Sequence, residues 1–148
     1  MNYLNTLLKT QAGYEALLLR VPVGIILAAH GAQKLFGWFG GYGLEGTGQW
    51  MASIGLEPGY FMALLAGAGE FFGGLMLMFG LLTRVGAALN VVAMTVALFW
   101  VHFSQGFFLS NNGYEYALAL LAATASLLVM GGGAWSVDSA AAKRFKAA

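Results

Sequence analysis

Six residues of this chain have the types and spacing for acid–base work at a carbonyl: His30, Gln33, Lys34, Glu70, His102 and Glu115. His30, Gln33 and Lys34 are spaced i, i+3, i+4, so on a helix they share one face. Glu70 is the single charge in LLAGAGEFFGGLMLMFGLL, residues 64–82. A charge near the centre of a membrane helix costs about 2.5–3.5 kcal/mol on insertion scales. A carboxyl in that position must be protonated, hydrogen-bonded, paired or facing water. Quinone reduction needs protons and hydrogen bonds at two carbonyl oxygens, which an imidazole, an amine and a carboxyl inside an apolar bundle could supply. In that scheme Glu70 is the proton donor, and His30 and Lys34 orient or polarise a carbonyl. Phe36, Trp38, Phe71 and Phe72 pack the ring, with Gln33, His102 and Glu115 completing the binding set.

The elements that must position these residues are helices in a membrane. Of 148 residues, 59% are hydrophobic and only 9% charged, against about 25% charged in ordinary soluble domains. Too little polar surface exists to cover a globule in water. A spanning helix needs about 20 largely apolar residues, and four segments fit: 16–38, 59–82, 85–103 and 114–134. Continuous apolar runs, without period-two alternation, argue against an outer-membrane barrel. The expected architecture is an all-α integral membrane four-helix bundle, one domain over residues 1–148. The one long connection, 39–58, is glycine-rich and reads as turns, with Pro58 suited to the first turn of the next helix.

Counting inward from that connection, antiparallel packing puts Glu70 level with Leu27, with His30 within a turn and Gln33 and Lys34 one turn further out. His102, ending the third span, and Glu115, starting the fourth, fall in the same outer half. Arg20 lies at the depth of Met76 and Leu77 and is expected to snorkel to headgroups. Lys9, Arg20, Arg84, Lys143, Arg144 and Lys146 flank one side of the spans, and the two opposite connections carry no Lys or Arg. Both termini are therefore expected in the cytoplasm of a prokaryote, the chain being multi-pass in its inner membrane. Trp38, Trp50, Trp100 and Trp135 fall near span ends, as an interfacial aromatic belt requires. The N-terminus lacks a signal-peptide pattern, so the first span is expected to stay in the mature protein. The tail 135–148 reads as a short surface helix.

Several chemistries are set aside. Cysteine is absent, which removes thiolate, disulfide and iron–sulfur chemistry from this chain. No metal motif occurs, and no basic stripe with interleaved aromatics points to nucleic acid. Gly40, Gly41 and Gly43 lack the context of a phosphate loop. A haem held by His30 and His102 has no paired-helix signature behind it. No redox centre is visible, so a quinone-linked role needs electrons from a redox partner protein or a bound cofactor. Bland alternatives stand beside the chemical ones. Glu70 could only fix helix register, His30 and Asn90 could bond between helices, and Lys34 could snorkel. His102 and Glu115 could be solvated helix ends, and the GxxxG pair Gly69 and Gly73 could serve packing or a homo-oligomer. At the level of function the alternatives are a small-molecule binding or transport module and a structural partner of a membrane complex.

HGAQKLFG (30–37), GAGEFFGGLMLMFGLLTRVGA (67–87), NNGYEYALALLAA (111–123) and GGGAWSVD (131–138), in this order, resemble the DoxX family of small prokaryotic membrane proteins. The resemblance covers residues 16–138 and implies a four-helix bundle in the cytoplasmic membrane. It also implies a relation to membrane subunits of thiosulfate:quinone oxidoreductase, and carries His30, Gln33, Lys34, Glu70 and Glu115 over as the polar positions.

Overall fold

A computed structural model describes residues 8–10 and 12–147, which form helices and turns with no strand among them. Helix α1 is Glu15–Phe36, α2 Gly43–Ser53, α3 Gly59–Phe79, α4 Thr83–Val96, α5 Glu115–Met130 and α6 Val137–Ala147. Helix α4 runs on through a π turn, Ala97–His102, and a 3-10 turn, Phe103–Gln105, giving one apolar stretch of 23 residues. That stretch, α1 and α3 are each long and apolar enough to cross a bilayer. With the apolar α5 they make the protein an all-α membrane helical bundle.

The first two spans end where glycine lets the chain turn. Gly37 closes α1 at φ 72° and Gly80 closes α3 at φ 66°, a left-handed geometry that costs other residues a Cβ clash. The fourth apolar segment is shorter than expected: α5 stops at Met130, because Gly131 (φ 80°) and Gly133 (φ 71°) break the run through 134. Its 16 residues reach about 24 Å, less than the roughly 30 Å hydrocarbon core. The 39–58 connection also departs from expectation, since it contains α2 instead of turns alone. Pro58 sits one residue ahead of α3, at its N-cap.

Helices α1 and α3 form the most extensive interface, and glycine makes it possible. A Cβ on Gly24 would lie 2.6 Å from the Gly74 oxygen, and one on Gly31 would collide with the Phe71 backbone. Small residues let membrane helices approach to backbone contact, gaining dispersion energy that lipid would otherwise supply. Of the GxxxG pair, Gly73 packs tightly on Gly86 and Asn90 of α4, whereas a Cβ on Gly69 would meet only Leu89, at 4.0 Å. Asn90, fully buried, gives its amide to the carbonyls of Gly86 (2.9 Å) and Gly69 (3.4 Å), tying α4 to α3.

One end of the bundle is locked by three charged side chains. Arg20 is 1% exposed and does not snorkel. Its Nε donates to Gly132 O (3.0 Å), Nη1 to Leu77 O (3.2 Å) and Met78 O (2.6 Å), and Nη2 to Trp135 O (2.8 Å). The last carbonyls of α3 have no intrahelical partner, and the negative end of its dipole attracts a cation; the planar guanidinium serves several acceptors at once. Arg84 does the same for α5, donating to Leu128 O (2.7 Å) and Val129 O (2.8 Å). Asp138 works at the opposite pole. Its carboxylate accepts from Leu82 N (2.7 Å) and Thr83 N (2.8 Å), so α6 caps the start of α4. The tail is therefore docked, not loose on the surface. Asp138→Ala is expected to cost about 1–2 kcal/mol and to expose the tail to trypsin at Lys143 and Arg144, with Asp138→Asn intermediate. Unchanged tail proteolysis would refute the cap.

Candidate functional site

Lys34 and Glu70 meet inside the bundle. Helix α1 places His30 and Lys34 one turn apart on the face turned to α3, and α3 presents Glu70 to them. Lys34 Nζ lies 2.6 Å from Glu70 Oε2, with the side chains 24% and 5% exposed. The same ammonium reaches back to His30 O at 3.5 Å. Side chains on a helix lean toward its N-terminus, and the long Lys34 stem thereby delivers its charge one turn inward, to the depth of Glu70.

The pair borders a cavity of about 770 Å³ lined mostly by apolar side chains. His30, His102, Asn112, Trp50 and Tyr116 are the other polar or amphipathic groups on its wall. The His30 ring sits beside that of Tyr116, centroids 6.1 Å apart. His102 Nδ1 is engaged by Asn112 O at 2.8 Å. The cavity is walled by five helices: Leu27, His30 and Lys34 of α1, Trp50 and Met51 of α2, Leu65, Ala66 and Glu70 of α3, Val92 and Val96 of α4 and Tyr116 and Leu120 of α5. Leu65, Val92 and Val96 line the cavity and are themselves 54%, 65% and 42% exposed, so the cleft is open along α3 and α4.

Other residues singled out in the sequence lie elsewhere. Gln33 donates to Phe39 O (3.2 Å) and borders a second, smaller cavity. Glu115 accepts from Leu109 N (2.6 Å), closing the loop before α5. Phe36 packs at a tilt on Trp38 (centroids 5.0 Å) and edge-to-face on Phe71 (5.3 Å), and Phe71 edge-to-face on Phe72 (5.2 Å). This aromatic row runs along α1 and α3 beside the ion pair and does not line the large cavity. Among the described residues no group of three or more His, Asp or Glu could hold a metal ion. The sequence reading takes Trp50 only as an interfacial belt residue and does not single out Tyr116. Tyr116 directly follows Glu115 in NNGYEYAL, a signal that was available; Trp50 belongs to a helix hidden in a glycine-rich stretch.

Fold and site together define a membrane helical bundle with a part-buried ion pair on the wall of an apolar cleft. The chain belongs to the DoxX family, whose profile matches residues 16–103. It is 38% identical over 104 residues, 70% of this chain and 71% of the relative, to the Bacillus subtilis (strain 168) protein named "Putative oxidoreductase CatD". It is 34% identical over 125 residues, 78% of this chain and 90% of the relative, to "Inner membrane protein YqjF" of Escherichia coli (strain K12). No solved structure matches.

Proposed function

We propose that this protein is a quinone-linked oxidoreductase component of a prokaryotic inner membrane, with its site at the Lys34–Glu70 pair. The observation that carries this reading is a charged pair at 2.6 Å on the wall of an otherwise apolar cleft open toward lipid. Such a cleft suits a ligand with a polar head and an apolar isoprenoid tail. Lys34 offers N–H donors to a carbonyl oxygen and holds Glu70 in place; Glu70 holds or releases a proton at its carboxyl; His30 and Tyr116 flank the head. Leu65, Val92 and Val96 line the path for the tail. When bound, a quinone supplies two-electron, two-proton redox chemistry, and the electrons come from a redox partner protein. The printed name of the Bacillus relative supports a redox role, and that of the Escherichia relative supports the inner membrane. The clustering of Arg20 and Arg84 at the end where residues 9–10 and 131–138 meet supports cytoplasmic termini.

Trp50 on the cavity wall is a built-in reporter. Titrating the protein in nanodiscs with a short-tailed benzoquinone or naphthoquinone is expected to quench tryptophan fluorescence saturably, and Trp50→Phe is expected to remove most of that quenching. Linear, unsaturable quenching, equal in both proteins, would overturn the assignment.

A further inference from the structure

Lys34 borders not one cavity but two. The second, of about 550 Å³, is lined by Gln33, Lys34, Thr47, Trp50 and the glycine-rich turn with Tyr42. Its character differs from the cleft. Thr47, buried on α2, borders it and makes no hydrogen bond among the described residues. Tyr42, 85% exposed, and Gly40 stand at its rim. The turn lies close over α1: a Cβ on Gly41 would collide with the Gln33 backbone. The chamber is therefore roofed by the turn and α2, and it opens at the end of the bundle away from Arg20 and Asp138.

In the other direction the pair is sealed. Between Glu70 and the Arg20 end lie Leu77, Ala87 and Leu127, all at 0% exposure, with the Gly24–Gly74 and Gly73–Gly86 contacts leaving no room for water. The polar side chains buried at that level, Asn90 and Thr124, spend their donors on the backbone carbonyls of Gly69, Gly86, Leu120 and Leu121, so a proton or water molecule moving that way meets mostly close-packed apolar side chains. In the opposite direction it meets only the Lys34 side chain, which is 24% exposed while that of Glu70 is 5% exposed.

We propose that the smaller chamber is a water-filled entrance through which the Lys34–Glu70 pair communicates with the aqueous phase on the face opposite the termini, with Lys34 as the partition between that water and the apolar cleft. The proposal deepens the functional reading above and rests on it for its purpose: protons taken up or released at the site are exchanged with the far side of the membrane, not with the side of the termini. The geometry itself is independent of which ligand occupies the cleft.

Because the native chain has no cysteine, single cysteines report water access without background. In sealed spheroplasts and in inverted vesicles, Gln33→Cys and Thr47→Cys are treated with a membrane-impermeant methanethiosulfonate sulfonate, and Ala140→Cys on α6 marks the face of the termini. Gln33→Cys and Thr47→Cys are expected to label only in the preparation in which Ala140→Cys does not. Glu70→Cys is expected to stay unlabelled in both preparations while Lys34 is present, and to label from the Gln33 side once Lys34→Ala is added. Each variant is checked for monodisperse elution, and Gln33→Cys and Thr47→Cys substitute for each other if one fails to fold. Labelling of the chamber cysteines from the Ala140 face, or from neither face while they react after denaturation, would overturn the proposal. The readout needs no quinone, so it can fail while quinone quenching persists, and the reverse.

Discussion

Replacing Arg20 with methionine is expected to remove most of the folded protein from the membrane. The guanidinium makes four hydrogen bonds to backbone carbonyls and is 1% exposed. At roughly 1 kcal/mol net for each bond, the loss is on the order of 4 kcal/mol, a large share of a typical domain's stability of about 5–15 kcal/mol. Methionine matches the length of the stem but takes the guanidinium donor away from Met78 O, Gly132 O and Trp135 O, while Leu77 O keeps only the Gly80 N–H. Arg20→Lys keeps the charge at the negative end of the α3 dipole but cannot reach four acceptors with one ammonium. The expected order of melting temperature in detergent is wild type, then Arg20→Lys, then Arg20→Met. An Arg20→Met protein that melts with the wild type would mean that lipid headgroups or water replace the guanidinium easily. In that case the snorkelling arrangement expected from the sequence would describe the protein better than the clasp.

Arg20 also shows where sequence reasoning ends. Its depth, level with Met76 and Leu77, follows from counting along two antiparallel helices, and two of its four acceptors are Leu77 O and Met78 O. What the count does not contain is that α3 stops at Phe79 and turns its last carbonyls toward α1. Nor does it contain the fold-back of residues 131–138 onto the same end, which brings Asp138 to α4. Span ends were legible to within a few residues where an apolar run meets a glycine: the expected ends at 38 and 82 fall just past the glycine caps Gly37 and Gly80. They were not legible at Gly131, because the apolar letters continue past the break.

The ion pair was half legible. Helical period places His30, Gln33 and Lys34 on one face, and the cost of an isolated carboxyl in lipid demands a partner for Glu70. The cavity was not legible, because five helices wall it and one of them, α2, was not expected. That helix was hidden by Gly43, Gly46 and Gly48, which lower helix propensity by about 1 kcal/mol each. Gly48 is there for packing: a Cβ would lie 2.9 Å from Tyr60 Cα, so the residue that obscures the helix is the one that lets it dock on α3.

The two halves of the pair are expected to respond differently to removal. Lys34→Met leaves a carboxyl with a 5% exposed side chain and no cation, which costs about 3 kcal/mol. Glu70→Gln leaves an ammonium that is 24% exposed and can turn into the polar chamber, so the cost falls to about 1 kcal/mol. Adding Glu70→Gln to Lys34→Met removes the stranded charge, and the double variant is expected to melt above Lys34→Met alone. Function should separate from stability in Glu70→Gln. The amide keeps the shape of the acid but loses the charge-assisted hydrogen bond that aims the Lys34 ammonium; a misplaced donor at the carbonyl, worth about 1.5–3 kcal/mol, weakens quinone affinity roughly tenfold to a hundredfold. A Glu70→Gln protein that elutes as wild type and binds quinone in that weakened range supports a ligand site. One that aggregates, or one that binds quinone unchanged, would make the pair a strut between α1 and α3. Measuring melting temperature and quenching on the same four proteins decides between a site that also braces the bundle and a brace that only resembles a site.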